Sequence, residues 1–445
     1  MAILAFLSIQ AAAQNATNSF WQAQSIYQIV TDRFFDGDPS NNNADGNYNP
    51  TDSGSVHGGD FKGVEQKLDY IKSLGATAIW ISPIVVNGHG QFYGYAGRDF
   101  FHVDSHWGSL ADLQHFVQTA HARGLLVIDD IVCNHGDDLI SSSDSGYCNF
   151  VYPPAGYHLK YSSTNTYAPP FDIYNTNYTV NNALTNLFHN QGCIGNFSDT
   201  TQVQLGELSG LDDFRTESPY VRSNMAAIYQ YWIQTVGFDG FRIDTVKHVD
   251  TGFWQSWCPA VHQFAATNSA EPNFFMFGEV FDSNESLCGY YTGTESGGAY
   301  LLDSVLDYPL YFTNNSVFIS GGATSQIDTH YANVGLYYDT NAQMRLVTFL
   351  DNHDNARFLA CKLAEFPGIR LNPERVVTNI VVFDVTGTGL TTAQLSALLK
   401  ARGVLMNGAN SRQMRAVTHY DVTRENCARA VETISEVLTN YASQS

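Results

Sequence analysis

"GFDGFRIDTVKHVD", residues 237–250, decides how this chain is read. Phe238 to Ile243 has the apolar character of a strand buried on both faces. Yet Arg242, Asp244, Lys247 and His248 fall together where that strand would meet its loop. Charged groups are costly there unless they are paired or used. The stretch therefore asks for a fold that brings several polar strand ends to one site.

The flanking sequence supplies such a fold. Strand-like apolar runs recur at 76–84 ("ATAIWISPI"), 124–135 ("GLLVIDDIVCNH"), 273–281 ("NFFMFGEVF"), 301–308 ("LLDSVLDY") and 345–354 ("RLVTFLDNHD"). Helical patterns lie between them, among others at 110–124 and 218–237. This alternation over residues 20–360 predicts an α/β fold, a (β/α)8-type TIM barrel with its C-terminal strand ends around one mouth. Residues 136–205 break the rhythm with Asn, Ser, Thr, Tyr, Gly and Pro, and read as an irregular subdomain inserted after the third strand. From about 361 the order becomes strand, helix, strand, helix, which predicts a small α+β domain over 361–445.

Composition narrows the function. The 445 residues carry 22 basic and 43 acidic side chains, a formal charge of −21, which repels phosphate backbones and anionic membranes. Neither nucleic acid nor membrane is expected as a partner. Residues 1–14, an apolar run followed by small residues, read as a secretory signal peptide, so the chain is expected to be secreted and extracellular. Sequons at Asn15, Asn177, Asn196, Asn284 and Asn314 agree with that reading. Proximity in the chain suggests disulfides Cys148–Cys193 and Cys258–Cys288, with Cys133 a buried thiol.

Polar clusters end four of the strand runs: Asp130, Asn134 and His135; Arg242, Asp244, Lys247 and His248; Glu279 and Asp282; and Asp351 to Asp354. Any single cluster could be an ordinary ion pair. Their repetition at one topological position points instead to chemistry with paired carboxylates, as in a retaining glycosidase. Asp244 would attack as nucleophile, held ionised by Arg242 two residues earlier on the same strand face. Glu279, after the apolar "NFFMFG", would stay protonated as the acid, and Asp354 would orient the sugar hydroxyls.

These segments, "DIVCNH" (130–135), "GFDGFRIDTVKH" (237–248), "FGEV" (277–280) and "FLDNHD" (349–354), resemble the four ordered motifs of the α-amylase family of glycoside hydrolases. "SIYQIVTDRFFDGD" (25–38) and "YGYAGRDFFHVDSHWG" (93–108) are similar to its first- and second-strand regions. The resemblance implies Asp244 as nucleophile, Glu279 as acid/base and Asp354 as transition-state stabiliser. It places His135, His353 and a stacking Tyr95 around the cleaved sugar, with Lys247 and His248 on the leaving-group side. It implies α-glucan polysaccharides or oligosaccharides as substrate and a bound Ca2+ held by Asn134, the His248 carbonyl and an aspartate; the chain is expected to be a monomer. At that last position "LSGLDD" (208–213) has Gly210, so Asp212 or Asp213 would have to compensate. Ala96 also departs from the family, where a tryptophan often follows the stacking tyrosine.

No eighth strand is recognisable after "FLDNHDNARFLA", so the barrel is expected to lack it. Residues 365–440 instead resemble the small C-terminal domain of threonine aldolases, a likeness carried mostly by 403–438. Arg415 would lie near the substrate carboxylate in that family, but the domain bearing the cofactor lysine is missing, so a solvated strand-end cation is expected. "TNIVVFDV" (378–385) is a candidate to fill the gap in the barrel. The expected function is a secreted retaining α-1,4-glucan hydrolase. The alternatives are an α-glucan transferase or an inactive fusion product.

Overall fold

Six parallel strands in chain order form the main sheet: β1 (Ile26–Ile29), β2 (Ala78–Ile81), β3 (Leu126–Ile131), β4 (Gly240–Ile243), β5 (Phe275–Gly278) and β6 (Ser304–Val305). The computed structural model describes residues 20–442 apart from 51, 53, 54, 89, 90, 143, 145, 147, 163–165, 173–186, 269–272, 294–300, 320, 350–358, 360, 361, 372–379 and 418–423. The expected signal segment 1–14, the sequons at Asn15 and Asn177, and both His353 and Asp354 lie outside the described residues.

Every residue of β2, β4 and β5 is buried, as parallel strands covered on both faces require. Helices follow the strands. In α1 (Leu110–Ala122) Ser109 and Asp112 form a capping box, and Leu113, Phe116, Val117 and Ala120 make the buried stripe. Helix α2 (Pro219–Val236) starts with proline in its first turn and stops at Gly237, whose φ of +81° suits a residue without Cβ. Helix α3 (Thr251–Asn268) links β4 to β5. The run at 345–354 meets the sheet through a parallel bridge, Leu306 to Val347, with Val347 N–H donating to the Val305 carbonyl at 3.1 Å. Among the described residues, no helix is long and apolar enough to cross a membrane.

The segment between β3 and α2 contains a short antiparallel hairpin, Ile140–Ser142 with Leu159–Tyr161, a helix at Thr200–Leu205 and the Cys148–Cys193 disulfide. The second proposed disulfide does not form. Cys258 and Cys288 are buried thiols, with Cys288 Sγ turned to the carbonyls of Val280 and Asp282 at 3.7 and 3.6 Å. Proximity in the chain was a poor guide because helix α3 points Cys258 into the core. Cys133 is a buried thiol, as expected.

A second compact unit gathers residues 49–55, 307–332 and 348–445. In it β7 (Ile380–Asp384), β8 (Asn407–Gly408) and β9 (Gln413–Val417) form an antiparallel sheet in the order β7-β9-β8. Helices α4 (Thr392–Lys400) and α5 (Arg424–Ala442) add Leu395, Leu399, Ile434 and Val437 to a core containing Val381, Phe383 and Met414. "TNIVVFDV" therefore pairs in its own sheet and does not extend the parallel one. The physical reason is its pattern: Val381 and Phe383 are buried while Val382 is 40% exposed, which suits a strand covered on one face. Arg415 is exposed on β9, opposite Val382.

Alternation along β3 sends Asp130 and Asp129 to opposite faces. Asp129 is buried beside a small cavity lined also by Phe100, Val132 and Tyr229, and its Oδ1 has no hydrogen-bond partner. Burial, and then the charge of Asp130, push its carboxyl well above the ordinary range. A carboxyl raised on folding contributes stability that is complete below about pH 3.9 and is lost as pH rises toward the shifted value. Asp129→Asn is therefore expected to match the wild type in urea unfolding near pH 4 and to exceed it by about 1–3 kcal/mol near pH 8. Parallel stability curves for the two proteins would contradict this.

Candidate active site

The register between β3, β4 and β5 sets the site. Asp130 is the ladder partner of Arg242, and Arg242 that of Phe277, so Asp130 and Arg242 leave adjacent strands on the same face. Asp244 and Glu279 follow the ends of β4 and β5, and each extends the ladder by one bond: Asp244 N–H donates to the Ile131 carbonyl at 2.9 Å and Glu279 N–H to the Ile243 carbonyl at 2.8 Å. Thr245 then turns the chain with φ of +49°, sparsely populated for a β-branched residue. The turn lets Thr245 N–H donate to Glu279 Oε2 at 3.2 Å.

One guanidinium joins the acids. Arg242 Nη1 donates to Asp130 Oδ1 at 2.7 Å and to Asp244 Oδ1 at 2.8 Å, and Nη2 donates to Glu279 Oε2 at 2.7 Å. The sequence reading assigned this arginine to Asp244; the structure shares it among three carboxyls. Trp80 Nε1 and the Tyr95 hydroxyl donate to Asp130 Oδ2 at 2.9 and 2.7 Å, leaving both Asp130 oxygens engaged. The Trp80 and Tyr95 rings lie 5.2 and 5.9 Å from the guanidinium carbon, within cation–π range.

Three carboxyls around one cation cannot all ionise cheaply in a dry site. Burial pushes Asp244 well up; Arg242 opposes this, while Glu279 and Asp130 add to it. Both carboxyls lie on the same guanidinium, so the charge of Glu279 bears directly on Asp244. Asp130 is also raised by burial, against the pull of Arg242. The arrangement is a pair of acids held over one fixed positive charge. It can deliver one proton and one nucleophile to the same substrate atom pair.

Two neutral imidazoles belong to the same strand ends. Burial, and then His248, lower His135 to about 3; burial, and then Lys247, lower His248 to about 4. His135 Nδ1 lies 3.2 Å from Asn134 Nδ2, while its buried Nε2 has no partner. His248 Nδ1 contacts the Val203 carbonyl at 3.0 Å. Lys247 Nζ reaches the Phe281 carbonyl at 2.6 Å and Asp282 at 3.3 Å, just beyond Glu279.

Comparison with known proteins agrees with this geometry. The α-amylase catalytic domain profile matches residues 28–391. The chain belongs to the α-amylase family. A β/α-amylase of Paenibacillus polymyxa is 35% identical over 344 residues, covering 77% of this chain and 25% of the relative. An α-amylase of Streptomyces lividans is 35% identical over 346 residues, covering 70% of this chain and 36% of the relative. The chain thus spans well under half the length of these relatives. Among solved structures, the α-amylase of Geobacillus thermoleovorans complexed with acarbose superposes with a TM-score of 0.58 at 31% identity, covering 76% of this chain and 63% of the other. The family profile runs past residue 361, where the sequence reading ended the likeness.

α-Amylase family members often bind calcium, and one expected donor here is consistent with that. Asn134 Oδ1 is buried without a partner, as a ligand awaiting a cation would be. Of the two aspartates that could supply the acidic ligand, Asp213 has a buried Oδ1 with no hydrogen-bond partner. Asp212 Oδ1 accepts Ile140 N–H, and its Oδ2 accepts Leu139 N–H and the Tyr167 hydroxyl, at 2.8–3.1 Å, so both of its oxygens are engaged. Gly210 offers no side chain, and no cluster of three or more His, Cys, Asp or Glu among the described residues is placed to hold a metal. The orphaned amide oxygen of Asn134 and carboxylate oxygen of Asp213 are the donors here that would suit a hard cation seeking six to eight oxygens.

The sequence reading gave no role to Trp80, which seats Asp130, nor to Phe197 and Phe281. Phe197 is 58% exposed with its ring edge-to-face on His248 at 6.4 Å, and Phe281 is 46% exposed two residues after Glu279. An exposed phenylalanine beside His248 and another beside Lys247 are a legible signal once those residues are located.

Proposed function

We propose that the chain is a secreted, retaining glycoside hydrolase that cleaves α-1,4 links of starch-like glucans, acting as a monomer. The observation that carries this is the Arg242 cluster, in which one guanidinium bonds both Asp244 and Glu279 at the ends of adjacent strands. In the first step Asp244 attacks the anomeric carbon and forms a glycosyl ester. Glu279 gives its proton to the departing glycosidic oxygen, so the C–O bond breaks without releasing an alkoxide. In the second step Glu279 takes a proton from water, the hydroxide oxygen displaces Asp244, and the starting protonation states return. The carboxyl separation this requires is about 5–5.5 Å. Arg242 stabilises the negative charge that returns to Asp244. Asp354 and His353, by their place in the "FLDNHD" motif, complete the contacts to the sugar. The neutral His135 presents Nε2 as a hydrogen-bonding atom at no charge cost.

The Cys148–Cys193 disulfide supports an oxidising, extracellular setting. Purified protein is expected to release reducing sugar from soluble starch with retention of the α-configuration, followed by NMR of the anomeric proton. Inverted product would remove the double-displacement reading.

One observation favours a second outcome. Phe197 and Phe281 offer exposed rings on the side from which an acceptor approaches, and sugar faces pack on such rings. An acceptor held there would replace water in the second step and yield α-glucan transfer. Incubation with concentrated maltooligosaccharides separates the two: products longer than the substrate mark transfer, and their loss in Phe197→Ala with Phe281→Ala would tie it to these rings. Shorter products alone would leave hydrolysis as the activity.

A further inference from the structure

We propose that Tyr152 is a binding platform for the glucan chain on the leaving-group side of the active site, one step beyond Phe197. The inference rests on the proposed α-glucan substrate, and it names a residue that makes longer chains bind better than short ones.

Tyr152 and Phe197 lie in the segment between β3 and α2, on the two stretches of chain that the Cys148–Cys193 disulfide ties together, each four residues past its cysteine. Tyr152 is 52% exposed and Phe197 58%. The helix at Thr200–Leu205 mounts both rings. Asp199 caps it: Oδ1 accepts Thr201 N–H and Gln202 N–H at 2.9 and 3.4 Å, and Oδ2 accepts the Tyr152 hydroxyl. Gln202 Nε2 donates to the same hydroxyl at 3.0 Å. Gln202 Oε1 accepts Gly195 N–H and Asn196 N–H at 3.0 and 2.9 Å, which fixes the turn that carries Phe197. The Val203 carbonyl of this helix meets His248 Nδ1 at 3.0 Å. One glutamine thus joins Tyr152 to the Phe197 turn, and one short helix joins both to His248.

Tyr152 is held as firmly as it is exposed. Its hydroxyl has a donor and an acceptor, and the Phe150 ring meets it edge-to-face with centroids 5.0 Å apart. Fixing such a side chain costs rotamer freedom, and the half of it left in water returns nothing to the fold. A ligand gains what the fold does not: the ring is ordered before binding, so no further side-chain entropy is lost.

Position and chemistry choose the occupant. The C–H face of a sugar packs on a flat ring, and its hydroxyls can bond to the Gln202 amide beside it. A glucan is neutral and needs no cation here. A chain that passes His248 and Phe197 and follows the Thr200–Leu205 helix meets Tyr152 next.

Steady-state kinetics of the full chain on maltotriose and maltooctaose test this. Tyr152→Ala is expected to raise KM for maltooctaose roughly three- to tenfold with kcat within about twofold of the wild type, because the contact is equal in the ground and transition states. KM for maltotriose should not change, since the short chain ends before the ring. Tyr152→Phe keeps the ring and should stay within about twofold of the wild type on both substrates. An unchanged KM for maltooctaose in Tyr152→Ala, an equal rise on both substrates, or a Tyr152→Phe as weak as Tyr152→Ala would overturn the proposal. If Tyr152→Ala does not fold, Tyr152→Leu, apolar without a flat face, takes its place with the same expectation. If the wild type releases no reducing sugar, the hydrolase reading fails by itself and titration calorimetry with maltooctaose decides the platform. Weaker binding in Tyr152→Ala then upholds it, and equal binding or none overturns it.

Discussion

Asp244→Asn is expected to lower reducing-sugar release from soluble starch by roughly four orders of magnitude or more while leaving the protein folded. An amide cannot form the glycosyl ester, so the first step is lost, whereas the introduced amide oxygen can still accept the Arg242 N–H that now falls on Asp244 Oδ1. Thermal stability should stay equal or rise. Burial already opposes the charge on Asp244, and removing that charge relieves crowding with Asp130 and Glu279. Binding of starch in a sedimentation assay should persist. A variant that keeps more than about a tenth of the wild-type rate would show that the nucleophile is elsewhere.

Arg242→Leu should do the opposite to the fold. Its guanidinium is the cation for Asp130, Asp244 and Glu279 together, and it is 4% exposed. Removing one partner of a buried ion pair typically costs about 3–5 kcal/mol. The pH dependence gives the sharper readout. Without the cation, the buried carboxyls are raised further above their unfolded values, so their contribution is retained at low pH and lost as pH rises. The deficit against the wild type, measured by urea unfolding, should therefore be smaller near pH 4 than near pH 7. A deficit independent of pH would mean that the arginine acts only by filling space.

Much of this site was legible in the sequence because strand ends concentrate polar residues that a buried strand cannot tolerate. Arg242, Asp244 and Glu279 stood out on that ground, and the parity of Arg242 and Asp244 put them on one side. What parity along one strand cannot show is the register between strands. Asp130 faces Arg242 through the β3–β4 ladder, and the contest of three acids for one arginine depends on that pairing. The same blindness hid Trp80, whose indole finds Asp130 across two strands. The contacts of the His189 ring to Asp213 and Glu217, at 2.6 and 2.9 Å, were invisible for another reason: these partners lie more than twenty residues away, in a stretch of irregular structure without periodicity. The cysteine pairing failed at 258–288 because sequence distance carries no side-chain direction. "TNIVVFDV" was misplaced because hydrophobicity was read without its alternation.

The register that pairs Asp130 with Arg242 also separates what can vary from what cannot. The acids and their arginine hang on three adjacent strands bonded directly to one another. The segment from 136 to 218, by contrast, leaves the end of β3 and returns only at α2, and contributes none of these groups. Changes of length or sequence there leave the strand pairing untouched, whereas an insertion of one residue within β4 would turn Arg242 or Asp244 away from its partners. Libraries aimed at altered specificity should therefore place their diversity in the exposed positions of that segment, with its core residues Tyr167, Phe171, Phe188 and Phe214 held fixed.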